Sequence, residues 1–269
     1  MQRKTSILTF SYTSFLILLF LSGSLNGIFS EIVYYIAFAF PIAISLYLTR
    51  DDGVEKTKYL TIDDVGVKRF LPLVFPTISA IIIISIVTSI LIYNLSGKTN
   101  DVDVGDSLVI ALLTHALLPA VLEEAIFRYL PMRLLAPHSP RAAIIISAFF
   151  FSLAHADLFT IPYALVAGVL LMLIDLMTDS IIPSVVIHFI NNAISVGMIF
   201  IEATFAVFLL YIWIIVATVI SIIVLYNNRE DYEDVLVVAT LKGEGVKFTP
   251  GMMLFAALTL AIAIMNLLL

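Results

Sequence analysis

The chain has 269 residues, of which 61% are hydrophobic and 13% charged, with a formal net charge of −6 and a mean hydropathy of +1.10. So little charge could not cover a water-soluble domain of this length, and the composition specifies a polytopic membrane protein. The absence of cysteine excludes disulfides, a cysteine nucleophile and thiolate metal ligands, and the dispersed negative charge offers no footprint for a nucleic-acid partner.

The chain opens Met-Gln-Arg-Lys and enters an apolar run with no clear small-residue cleavage site behind it. Residues 7–23 are therefore expected as a retained first span rather than a signal peptide. A spanning helix needs roughly 17–25 apolar residues. Further candidates lie near 32–49, 71–93, 107–130, 142–158, 160–177, 181–200, 202–226 and 251–268. Only a few residues separate 160–177 from 181–200, so one of the two is expected to be short or tilted. The expected fold is all-α, a polytopic transmembrane bundle of eight or nine spans forming one integral domain over residues 1–269, with no internal repeat.

Basic residues orient this map. With the N-terminus in the cytoplasm, Arg3, Lys4, Arg50, Lys56, Lys58, Lys68, Arg69, Arg133, Arg141, Arg229, Lys242 and Lys247 fall inside and only Lys98 falls outside. Residues 50–70 and 227–250 become the larger cytoplasmic loops. The segment 95–106, with Asp101, Asp103 and Asp106, faces the other side.

Three charges interrupt the fourth span, in Val121-Leu-Glu-Glu-Ala-Ile-Phe-Arg128. A charged side chain at bilayer depth costs about 2.5–3.5 kcal/mol on insertion scales, so it marks a functional candidate. Residues four apart share a helix face, which pairs Glu124 with Arg128; neighbours diverge by about 100°, which turns Glu123 elsewhere, one turn from Phe127. Glu123 is then the carboxylate left to work as a general base in a cavity, unless it is only a solvated charge near its helix end. In the stated orientation it lies about seven residues, or roughly 10 Å, from the cytoplasmic face.

Two further spans carry polar side chains. Phe151 and His155 share one face, and His188 and Asn192 share another. Neutral His and Asn can both donate to a developing oxyanion, and both also serve as glue between helices. Asn191 turns to a different side and suits the second role. His115 lies about two turns before Glu123 but on a different side of its helix. His138 is expected in a solvated loop. Asp175 and Asp179 are expected to be solvated near a helix end. Asp157 is placed to orient the helix end beside His155 or its imidazole. There is no His-Glu-x-x-His zinc helix and no Gly-x-Ser-x-Gly elbow.

Glu123-Glu124-x-x-x-Arg128, Phe151-x-x-x-His155 and His188-x-x-x-Asn192, in that order on three apolar segments, resemble the CAAX-protease and bacteriocin-processing family. Within it the chain is similar to the Ras- and a-factor-converting CAAX endopeptidases, in a prokaryotic-sized version. The motifs span about residues 121–192. The resemblance implies a glutamate-type intramembrane protease that removes the last three residues of a prenylated Cys-a-a-X terminus. It implies that Glu123 and His155 activate a water, that His188 and Asn192 form the oxyanion hole, and that Glu124, Arg128 and Phe151 support the site. It implies no metal and no cofactor. Its partners would be the prenylated peptide or protein and the lipid bilayer, and a monomer is expected. Three other readings stand beside it: a zinc protease using Glu123, His155 and His188, a proton-coupled transporter, and a non-catalytic scaffold. The lack of an inverted repeat speaks against a carrier.

Overall fold

In the computed structural model, residues 2–51, 53, 57–99, 103–201, 203–229, 233, 237 and 248–268 are described. Most of the expected 227–250 loop, with Lys242 and Lys247, lies outside them, as do Lys56 and Asp101. The described residues form a helical bundle with no strand. In chain order the helices are α1 (Gln2–Gly23), α2 (Ile28–Leu48), α3 (Asp64–Ser96), α4 (Leu108–Leu134), α5 (Pro140–Ala154), α6 (Ile161–Thr178), α7 (Ile182–Ile199), α8 (Ala203–Asn227) and α9 (Pro250–Leu268). Eight of them are long and apolar enough to cross a membrane. Short of that length is α5, at 15 residues.

Helix boundaries follow local chemistry. The run of α3 starts earlier than its apolar core because the Asp63 carboxylate accepts the Gly66 N–H at 2.7 Å, a side-chain cap on an otherwise unsatisfied donor. The expected span 142–158 is cut short at its far end, where Ala156 turns left-handed with φ 48°. Likewise α6 stops at Asp179, also left-handed with φ 51°, and α7 begins three residues later. Its exposed carboxylate pairs with Lys58 at 3.5 Å, which fits the solvated role expected for Asp179.

Two hairpins organise the packing. In the first, α1 and α2 are joined by a buried bond between Ser11 and Ser45 at 2.6 Å. In the second, α5 and α6 approach closely at Gly168, where a Cβ would meet the Ala148 Cα at 2.7 Å. Small residues allow such approach between spans, where packing replaces the hydrophobic effect as the driving force. Aromatic side chains fill the space between α1, α4 and α5. Tyr12 lies 5.3 Å from Phe127 and 4.4 Å from Phe150 between ring centroids. By contrast α8 turns most of its surface outward, with only 6% of its most apolar stretch buried in the bundle. That surface is suited to lipid.

Gly168→Ala should lower the unfolding midpoint in detergent, because the added methyl would have to push the α5 backbone away. Overpacking of this kind costs about 1–3 kcal/mol. Gly197→Ala, where a Cβ meets nothing within 4 Å, should leave the midpoint unchanged or raise it. Equal effects at both positions would contradict the close-packed hairpin.

Candidate active site

The helix that carries the charges is not a regular α-helix. Pro119 and Pro131 interrupt α4. Having no N–H, they cannot bond the carbonyls of His115 and Phe127 four residues back. The helix widens into π-helical turns at Leu112–Leu117 and Ala125–Tyr129. Side chains supply donors here: the Ser147 hydroxyl donates to the released Phe127 O, and the Tyr12 hydroxyl donates to the neighbouring Ile126 O at 3.5 Å. Helical turns of this kind are frequent at functional sites, and here one of them carries Arg128.

The expected ion pair is present. Arg128 Nε lies 3.1 Å from Glu124 Oε2, and both side chains are fully buried. The guanidinium carbon sits 4.2 Å from the centroid of the Phe151 ring, so Phe151 on α5 covers the cation face-on. A further bond ties this pair to α7. The second carboxylate oxygen, Glu124 Oε1, accepts from His188 Nδ1 at 2.7 Å. This commits one nitrogen of His188 and leaves Nε2 as the one able to meet a ligand. Nε2 lies 3.9 Å from Glu123 Oε2.

Glu123 points away from this pair, as the helix geometry requires. It lines a cavity of about 70 Å³ together with Phe151, His155, Tyr163, His188, Asn191 and Asn192. Ile81, Ala164, Ala167 and Leu171 complete the wall. A second cavity of about 170 Å³ reaches the other side of Glu123 and His155, lined by Phe15, Leu19, Tyr34, Phe38, Phe127 and Ala154. Glu123 and His155 therefore stand on the partition between a polar and an apolar chamber.

His155 occupies the end of α5. There the helix tightens, and the His155 N–H turns to Ser152 O at 3.4 Å. The imidazole takes over the Phe151 carbonyl, with Nδ1 at 2.8 Å. A carbonyl only accepts, so Nδ1 carries the proton, and in the neutral tautomer this leaves the lone pair on Nε2. Asp157 does not orient this imidazole. Its carboxylate accepts from the Thr160 N–H at 2.9 Å and the Thr160 hydroxyl at 2.5 Å, so it fastens the start of α6 instead.

Two expectations need correction. Asn191 does not turn to a remote side: it lines the cavity, and its amide donates to Asn192 Oδ1 at 3.3 Å. That bond leaves the Asn192 N–H₂ available to the chamber. Asp175 is not solvated at a helix end but fully buried, and its Oδ1 accepts the Ser184 N–H at 3.1 Å. The sequence concealed this because Asp175 lies four residues before the left-handed turn, and only the fold of α7 back against α6 encloses it. His115 and His138 are both exposed and line neither cavity. Among the described residues, no group of three His, Asp or Glu side chains is arranged to hold a metal ion.

Arg128→Ala should sharply reduce folded protein, because it leaves Glu124 in the interior without its cation. Breaking one partner of a buried pair costs about 3–5 kcal/mol. The double change Glu124→Gln with Arg128→Gln should recover part of the loss. Thermal unfolding and folded yield in detergent read both effects, and a double variant no better than Arg128→Ala would mean that the two side chains do not depend on each other.

No curated protein and no solved structure matches the chain significantly. Residues 105–194, which hold all three motifs, match the family model described as type II CAAX prenyl endopeptidase Rce1-like. Residues 105–194 of this membrane-spanning chain are thus similar to Rce1-like type II CAAX prenyl endopeptidases.

Proposed function

We propose that the protein is a glutamate-type endopeptidase that cuts within the membrane and removes the C-terminal tripeptide from prenylated Cys-a-a-X proteins or peptides. The observation that carries this reading is the single chamber into which Glu123, His155, His188 and Asn192 all project. A carboxylate and an imidazole lone pair on one wall, facing hydrogen-bond donors on another, are the parts that peptide hydrolysis requires.

In this mechanism a water sits between Glu123 and His155 Nε2. Glu123 takes its proton as the water oxygen bonds to the carbonyl carbon of the scissile peptide. The electron pair of that carbonyl moves onto its oxygen, where Asn192 Nδ2–H and His188 Nε2–H receive it. Collapse of the tetrahedral species breaks the C–N bond, and the proton on Glu123 passes to the departing amine. His188 Nδ1 is held by Glu124, so Nε2 donates only while the ring is an imidazolium. Glu124, Arg128 and Phe151 hold that ring in place. The second, apolar chamber lies against the same two reacting groups, which supports a substrate with an apolar element close to the scissile bond. We place the N-terminus and the mouth of the site on the cytoplasmic side of the cell membrane, and we read residues 1–269 as one integral unit acting as a monomer.

The test is cleavage of a farnesylated Cys-a-a-X peptide by purified protein in lipid. Glu123→Gln should reduce turnover by about 10²–10⁴-fold, the usual contribution of a general base, while the unfolding midpoint stays near wild type. The wild-type rate should survive exhaustive dialysis against a strong chelator. Near-normal turnover in Glu123→Gln would overturn the assignment, and a chelated enzyme restored by zinc would favour a metal mechanism.

Asn192→Ala should lower kcat by about 10²–10³-fold with little change in KM, because the bond it makes strengthens only as the oxyanion forms. Asn191→Ala should cost less, since it removes the bond that orients the Asn192 amide and not the donor itself. A pure KM effect at Asn192 would mean that this face binds substrate and does not stabilise the transition state.

A further inference from the structure

Tyr163 lines the polar chamber but has no part in the mechanism above. It stands in the first turn of α6, and its ring packs against the main hydrophobic core. Its hydroxyl donates to Thr160 Oγ1 at 3.5 Å. The Thr160 hydroxyl donates in turn to Asp157 Oδ2 at 2.5 Å. Asp157 meets donors at both of its oxygens: Oδ2 also receives the Thr160 N–H at 2.9 Å, and Oδ1 receives the Phe159 N–H at 3.3 Å. The turn between α5 and α6 thus anchors a chain of hydrogen bonds that starts in the chamber and ends at a carboxylate.

That anchor sets the direction of each bond in the chain. A hydroxyl has one proton and two lone pairs. The Thr160 proton goes to Asp157, so Thr160 Oγ1 is left to accept from Tyr163. The Tyr163 proton goes to Thr160, so lone pairs are what its oxygen offers to the chamber. A peptide substrate needs such a group, because each backbone N–H drawn out of water must find an acceptor or weaken binding. The other acceptors on this wall are Glu123 and His155, which hold the water in the mechanism above, and Asn191 beside the oxyanion donors.

The partition relates this acceptor to the substrate. Glu123 and His155 border both chambers, whereas Tyr163 borders the polar one and not the apolar one. A scissile bond lying across the partition, with the lipidated cysteine on the apolar side, puts the departing tripeptide on the side of Tyr163. We propose that the Tyr163 hydroxyl oxygen accepts a backbone N–H of that tripeptide, and that Thr160 and Asp157 are positioning residues that turn its proton away from the substrate. The inference rests on the hydrolytic reading above and gives the turn at Asp157 a task beyond fastening α6.

The experiment combines Tyr163→Phe with ester substitution in the farnesylated Cys-a-a-X peptide, using purified protein in lipid. An ester in place of an amide removes one chosen N–H. Separate peptides lose the N–H of the cysteine, of the second aliphatic residue or of the terminal residue, and each keeps the scissile amide. Release of the tripeptide is followed by mass. Wild type should lose about 5–100-fold in kcat/KM on one of the two tripeptide esters, the range expected when a buried hydrogen bond is unmade. The loss should fall mainly on KM, because the bond is present before the transition state as well as in it. Tyr163→Phe should lose a similar factor on the all-amide peptide and nothing further on that ester. Its unfolding midpoint should stay near wild type, since the ring is kept. An undiminished ester penalty in Tyr163→Phe would overturn the proposal. So would relief confined to the cysteine N–H, or relief in Asn191→Ala instead. If wild type does not cleave the all-amide peptide, or Glu123→Gln cleaves it equally well, the hydrolytic reading fails and the acceptor with it. Cleavage that depends on Glu123 but shows no relieved ester rejects the acceptor alone.

Discussion

A guanidinium cannot be placed among apolar helices without an anion to meet it, and the pairing of Arg128 with Glu124 at 3.1 Å meets that demand. Much of the site follows from this pair. Phe151 covers the open face of the cation, which fixes how α5 lies on α4. The second oxygen of Glu124 takes His188, which fixes how α7 lies on α4. An ion pair of this kind is weak evidence for stability, since desolvation offsets its attraction. Its value is geometric: it gives three helices one registration, and in doing so aims His188 Nε2 into the chamber.

The adjacent carboxylates illustrate how a step of one residue, about 100° around a helix, places two side chains in different surroundings. Glu124 is fully buried, with its two oxygens engaged by Arg128 and His188. Glu123, one residue earlier, stands on the partition between two cavities with a fifth of its side chain accessible. The same contrast applies to the two imidazoles. His155 gives its Nδ1 proton to a backbone carbonyl and lines the chamber. His188 turns its Nδ1 to the Glu124 carboxylate and leaves Nε2 on the side of the chamber. Two histidines on the same chamber thus hold different Nδ1 partners, a backbone carbonyl and a carboxylate.

Sequence periodicity was sufficient for the all-helical bundle and for the pairing of Glu124 with Arg128, because spacing within one helix is a local property. The projection of Glu123, His155, His188 and Asn192 into a common chamber was expected from three separate motifs and is found in the fold. What escaped were contacts between helices that no spacing reports. The bond from His188 to Glu124 spans 64 positions. The burial of Asp175 depends on α7 folding back across α6, and the bond from Asn191 to Asn192 depends on rotamers rather than on helical phase. The widening of α4 did leave a mark in the sequence, in Pro119 and Pro131. A proline within a charged span signals a carbonyl that must find another donor, here Ser147 for the carbonyl of Phe127.

The ion pair lies within a single helix, and this bears on how the chain is built into a bilayer. α4 is made before α7, so at the moment it leaves the ribosome it has neither His188 nor Asp175 beside it. A span carrying an isolated Arg would have to wait for a partner from later in the chain. Because Glu124 and Arg128 sit one turn apart, they can neutralise each other as soon as the helix forms. The segment can then enter lipid as a nearly uncharged unit, and the bonds to later helices can be added after insertion. Insertion and the geometry of the site thus lean on the same four residues of helical spacing.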